Sequence, residues 1–94
     1  MLKKAIIYWF SEEEGGKKIL PQGTEYYPHI ELEDGGICSM AIRLLDTVET
    51  TKNERITNCE VTFLFDHAPQ HLLRSSAEFI LCEGRQKVAA MVIR

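Results

Sequence analysis

No apolar run in the chain is longer than the six residues Ala5-Ile-Ile-Tyr-Trp-Phe10. A helix crossing a bilayer needs about 20 apolar residues. A secretory leader needs a longer apolar region and a small-residue cleavage site, and here Ser11-Glu-Glu-Glu14 follows the run at once. The expected location is therefore cytoplasmic, with no membrane partner. Positive charge is not in excess either: 11 Lys and Arg stand against 14 Asp and Glu, a net charge of −3. Domains that work mainly on the phosphate backbone carry a basic surplus, so nucleic-acid recognition would have to come from a local patch. Cysteine is sparse. Cys38, Cys59 and Cys82 stand singly and far apart, an odd set that does not read as a disulfide framework; buried reduced thiols are the simpler reading. The chain lacks a G-x-x-x-x-G-K-[ST] phosphate loop and a G-x-S-x-G nucleophile turn, so neither mechanism is available to it.

The 94 residues suffice for one domain, 1–94, burying roughly two-thirds of its unfolded surface. With 45% hydrophobic and 27% charged residues, the composition is that of a folded globule rather than a disordered chain. Strand signals recur along it. Ala5–Phe10 is β-branched and aromatic, and alternation would place Tyr8 and Phe10 on one face and Trp9 on the other. Whichever of these faces points outward would present aromatic surface to a partner. Ser11 and Glu14 imitate a helix capping box, but Gly15-Gly16 stops any helix, which predicts a tight turn. Lys17–Leu20 is a possible short strand. Tyr26–Leu32 reads as extended because Pro28 disfavours helix at Tyr27.

Asp34-Gly35-Gly36 is a hairpin signal. Beyond it Cys38, Met40, Ile42 and Leu44 alternate with Ser39, Ala41 and Arg43, the pattern of a strand with one buried side. Thr-rich Asp46–Glu54 reads as a loop. Arg55–Phe65 alternates again, with Cys59, Val61, Phe63 and Phe65 on one face. Pro69 marks a turn, the stretch His71–Cys82 holds Phe79 and Leu81 on one face, Glu83-Gly84-Arg85-Gln86 is a hairpin turn and Lys87–Ile93 a last strand. Short strands separated by turns predict a sandwich or barrel.

Chemistry is scarce. His67 and His71 are four apart, a metal-like pair only on a helix, and Pro69 lies between them. All three cysteines fall in strand patterns, where a buried thiol is inert. Glu12-Glu13-Glu14 lacks the spacing of a calcium loop and reads as a solvated turn. The expectation is a protein that is not an enzyme, with no catalytic residue, cofactor or metal site. The set Lys17, Lys18, Arg85, Gln86 and Lys87 would form a small positive patch if the two Gly-containing turns lay side by side. Backbone N–H groups in the turns would add to it. The plainer reading is ordinary solubilising hairpin residues.

Two segments carry a family resemblance. The first is Tyr8-Trp-Phe-Ser-Glu-Glu-Glu-Gly-Gly-Lys-Lys18, followed by Tyr27-Pro28-His29; the second is Phe79-Ile-Leu-Cys-Glu-Gly-Arg-Gln-Lys-Val88. In order and spacing they resemble the C-terminal domain of bacterial elongation factor Tu. There an acidic "EEGGR" turn precedes a "GYRPQF" strand, and "RFAIREGGRTVGAGVV" closes the domain. The resemblance spans nearly the whole chain. It implies an all-β fold, a small six-stranded antiparallel β-barrel, free-standing and without the GTPase domain. It also implies a link to translation, because that domain packs on a neighbouring barrel, touches the T-stem of aminoacyl-tRNA and helps dock the nucleotide-exchange factor. Carried over by motif, Gly15, Gly16 and Lys17 in the first turn and Glu83 and Gly84 in the second would face tRNA. Departures are Tyr27 and Cys82 where the family has Arg, Arg85 where it has a second Gly, and Thr51-Lys-Asn-Glu54 in place of "PGD". Each lost Arg removes a bidentate phosphate contact.

The expected function is thus a non-catalytic binding module acting on protein, either a translation factor or a second copy. The alternative is tRNA or other structured RNA held through the two turns. The candidate residues are Gly15, Gly16, Lys17, Lys18, Glu83, Gly84, Arg85 and Lys87.

Overall fold

The computed structural model describes residues 2–94. Its strands are β1 (Lys3–Trp9), β2 (Glu25–Tyr26), β3 (His29–Glu31), β4 (Ile37–Glu49), β5 (Arg55–Phe63), β6 (Glu78–Glu83) and β7 (Gln86–Ile93). Helix among the described residues is limited to two three-residue 3-10 turns, Glu12–Glu14 and Gln70–Leu72. All strand pairs are antiparallel, in the order β2-β4-β3-β6-β7-β1-β5, and β5 returns to pair with β4. That last pairing closes β4, β3, β6, β7, β1 and β5 into a six-stranded barrel, with β2 as an extra strand on β4. The all-β barrel expected from the sequence is therefore present.

Period-two patterning builds the wall. Along β5, Thr57, Cys59, Val61 and Phe63 point inward between the more exposed Asn58, Glu60 and Thr62. Ile7 of β1, Met40 of β4, Leu81 of β6 and Met91 of β7 meet them with no measurable exposure. Burying each such side chain stabilises the fold by about 1.5–3 kcal/mol.

Several elements differ from the sequence-based reading. The tight turn expected at Ser11–Gly16 contains a 3-10 turn with a complete capping box: Ser11 Oγ accepts from Glu14 N–H at 3.2 Å, and Glu14 Oε1 accepts from Ser11 N–H at 2.9 Å. Lys17–Leu20 is irregular rather than strand. Tyr27-Pro28 splits the extended Tyr26–Leu32 segment into β2 and β3, because Pro28 has no N–H for a ladder. Asp46–Glu49 belongs to β4 rather than to a loop. There the register steps from Leu44↔Cys59 to Asp46↔Asn58, leaving Leu45 as a bulged residue that is 56% exposed. The bulge shifts the alternation by one, so a strand continues where the sequence pattern breaks. Within the stretch His71–Cys82 the strand begins at Glu78.

At the end of the barrel where β1 leaves the wall, the indole N–H of Trp9 donates to Thr57 Oγ1 at 2.7 Å, and Thr47 Oγ1 lies 2.6 Å from the same hydroxyl. Thr57 is the one buried polar side chain among the described residues. Leaving a buried indole N–H without an acceptor costs about 1–3 kcal/mol. Thr57→Val, which keeps the side chain's shape, is therefore expected to lower the unfolding free energy by about 2 kcal/mol, measured by urea denaturation.

Candidate functional site

The two Gly-containing turns, 66 residues apart in sequence at Lys17 and Glu83, are brought into contact by the barrel. The first follows β1; the second joins β6 to β7. Lys17 Nζ donates to Glu83 Oε1 at 2.7 Å, the Tyr26 hydroxyl donates to the other oxygen of Glu83, and Gln86 Nε2 donates to the Gly15 carbonyl at 2.9 Å. Tyr26 packs against Trp9, with ring centroids 5.6 Å apart. The contact is thus anchored in the core.

Arg55, at the start of β5, fastens the first turn from the opposite side. Its Nη2 donates to the carbonyls of Phe10 and Lys17, both at 2.9 Å, and its Nη1 donates to that of Lys18 at 3.3 Å. Neither Arg55 nor Tyr26 is among the candidate site residues of the sequence. Nothing local marks them: Arg55 lies 38 residues from Lys17 and Tyr26 lies 57 from Glu83. Only the closure of the barrel brings each to its partner.

Two glycines are required by the geometry. Gly15 ends the 3-10 turn in the left-handed region at φ 92°, where a side chain is disfavoured. Gly16 has an ordinary φ, but a β-carbon there would lie 2.6 Å from the Phe10 carbonyl carbon. Gly84 also has a positive φ, 58°, and shapes the two-residue link between Glu83 and Gln86.

The electrostatics of the cluster are mixed. Burial pushes the Glu83 carboxyl up, but the hydrogen bonds from Lys17 and Tyr26 and the Lys17 charge outweigh it, so it lies below the ordinary carboxylate value. Burial and the Glu83 carboxylate push the Tyr26 hydroxyl well above the ordinary value, so it stays a donor. Lys17 is half-buried and its charge is offset by Glu83. Lys18 and Arg85 are exposed. Lys87, also exposed, lies instead at the seam between β3 and β6, which Glu31 and Glu78 share.

No family model matches the chain, and no curated protein does.

The other sequence candidates are dispersed. His67 and His71 are exposed, and His67 stacks on Phe65 at 5.8 Å. Among the described residues no three His, Cys, Asp or Glu side chains converge as metal ligands. The Cys59 thiol donates to the Ala5 carbonyl at 3.6 Å, and burial pushes its pKa up to about 12. Burial also raises that of Cys82. Both stay protonated at neutral pH, which removes them as nucleophiles. Cys38 is only partly buried.

Two outcomes follow. Gly16→Ala collides with backbone and is expected to destabilise by about 2 kcal/mol or more, while Gly15→Ala costs about 1 kcal/mol; thermal melts of the two variants give the order. Glu83 binds fewer protons when folded than when unfolded at pH below its ordinary value of 4.5. Its contribution is therefore complete above that pH and is lost as pH falls through the lower folded-state value. Glu83→Gln is expected to flatten the acid limb of stability against pH, with a loss at neutral pH of under about 1 kcal/mol because the pair is partly exposed.

Proposed function

We propose that this chain is a non-catalytic protein-binding module, related in design to the C-terminal barrel of elongation factor Tu and acting on a protein of the translation apparatus or on itself. The observation that carries the reading is an apolar row on the outside of the barrel. Val48 pairs with Ile56, Ile56 with Tyr8, Tyr8 with Ala90 and Ala90 with Ile80, so the row crosses β4, β5, β1, β7 and β6 without a charge. Val48, Tyr8 and Ile80 are 53%, 42% and 43% exposed. Ile6 and Val92 widen the row on its Lys4 side. Contiguous outward apolar surface of this kind supports a protein partner. It also answers which side of β1 faces out: Tyr8 does, while Trp9 is buried.

The adjacency of the two Gly-containing turns favours a second reading, structured RNA held by Lys18 and Arg85. Charge argues against it. Glu83 lies within the cluster and holds Lys17, and a fixed carboxylate beside a phosphate is repulsive. The turns are more simply explained as a clamp that fixes the ends of β1 and β7.

The two readings separate in one experiment. Tagged protein is incubated with lysate, with and without ribonuclease, beside Tyr8→Lys/Ile80→Lys and Lys18→Glu/Arg85→Glu variants. The expected result is a defined protein retained after ribonuclease, lost with the Tyr8/Ile80 variant and kept by the Lys18/Arg85 variant. Retention of RNA that weakens with Lys18→Glu/Arg85→Glu and falls steeply with salt would overturn the proposal in favour of RNA.

A further inference from the structure

The apolar row ends in opposite charges. Strand alternation places Lys4 on the same outer face as Ile6 and Tyr8, and Arg94 on the face of Ala90 and Val92. The two are neighbours, with Arg94 N–H donating to the Lys4 carbonyl at 2.9 Å. At the other end Glu13, Glu14 and Glu54 line a groove together with Tyr8 and Ile56. Two cations also border that groove. Arg55 has its guanidinium turned onto backbone carbonyls, which leaves Lys52 against three carboxylates. Among the described residues the ion pairs are Lys17–Glu83 and Arg43–Glu60. Neither Lys4 nor Arg94 is in an ion pair among the described residues; of the carboxylates beside them, Glu60, the cross-strand neighbour of Lys4, is held by Arg43, and Glu78 stands across from Val92.

The two ends are also evenly spaced. Lys4 lies three residues before Ile7 on β1. Glu54 precedes Arg55, which pairs with Trp9, so Glu54 is level with Phe10, three residues after Ile7. At about 3.3 Å per residue each charge is about 10 Å from the level of Ile7.

We infer that this face pairs with the same face of a second copy, about a two-fold axis lying in the interface and crossing the strands at the level of Ile7. The inference rests on the reading that the apolar row binds protein, and it names the partner. Such an axis reverses the strand direction of one copy over the other. It brings the Lys4 and Arg94 end of each copy over the Glu54 and Glu13 end of its mate, while the Tyr8 and Ile56 rows meet at the centre. A two-fold contact repeats each ion pair twice. The face thus carries its own complement in both apolar surface and charge spacing.

The test is sedimentation of the full chain at submillimolar concentration, with charge reversal at the two ends. Wild type is expected to be a dimer that weakens at high salt, and Tyr8→Glu a monomer with an unchanged β-type circular dichroism spectrum. Lys4→Glu and Glu54→Lys each create two like-charge contacts and are expected to weaken the dimer by about tenfold. Mixing these two variants makes both contacts attractive again, so the mixture is expected to form a heterodimer tighter than either variant alone. Loss of folding could not produce that rescue. A monomeric wild type, or a mixture no tighter than its components, overturns the pairing. If in addition the Tyr8→Lys/Ile80→Lys variant still loses a protein captured by wild type, the self-pairing alone has failed and the protein-binding reading stands. If that variant loses nothing, both have failed.

Discussion

The closure of the barrel rests on β5, which is hydrogen-bonded to β1 on one side and, by returning, to β4 on the other. Without its return to β4 the sheet would be open, with β5 at one margin. The interactions that shape the rest of the molecule start from the same strand. Its first residue, Arg55, holds the carbonyls of the turn after β1. Thr57 satisfies the Trp9 indole and Cys59 caps a carbonyl of Ala5. Val61 and Phe63 fill the interior. On its outer face the same strand contributes Ile56 to the apolar row. Structure and candidate binding surface are thus the two faces of one alternating segment.

Much of this was legible before any coordinates. Alternation identifies β5 as far as Phe63 and the first half of β4, and the glycines mark the hairpins at Gly35 and Gly84; Phe65, expected on the buried face, lies beyond the strand and is 54% exposed. The failures have specific physical causes. The β4 bulge at Leu45 moves the following residues onto the opposite faces, and a sequence that switches parity resembles the end of a strand. Pro28 disfavours helix at Tyr27, but its missing N–H also interrupts the ladder, which a run of extended residues does not convey. Ser11 and Glu14 form the capping box that the tight-turn reading set aside, because a 3-10 turn needs only the three residues available before Gly15.

The candidate cluster was legible in its members but not in its chemistry. Sequence placed Gly15, Gly16, Lys17, Glu83 and Gly84 in two turns, and the fold brings those turns together. It could not show that Lys17 and Glu83 would be spent on each other, or that Arg55 would direct its guanidinium to main-chain carbonyls rather than to solvent. Counting basic residues overestimates a positive surface whenever the fold also delivers a carboxylate to the same place. Here Lys17 is paired with Glu83, while Lys18 and Arg85 are in no ion pair among the described residues.

This distribution of charge bears on how such a barrel acts. A phosphate-binding surface needs cations whose fields reach solvent, and a part-buried ion pair directs its field inward. The turn cluster accordingly spends its charge on geometry, fixing where β1 ends and β7 begins. Those two strands carry Tyr8, Ala90 and Val92, the centre of the outer apolar face. Tight definition of the turns therefore keeps the apolar row in register around the wall, with Lys4 and Glu54 held at set distances on either side. In the proposed reading, labour is thus divided between turns that position and a wall offered to a protein partner.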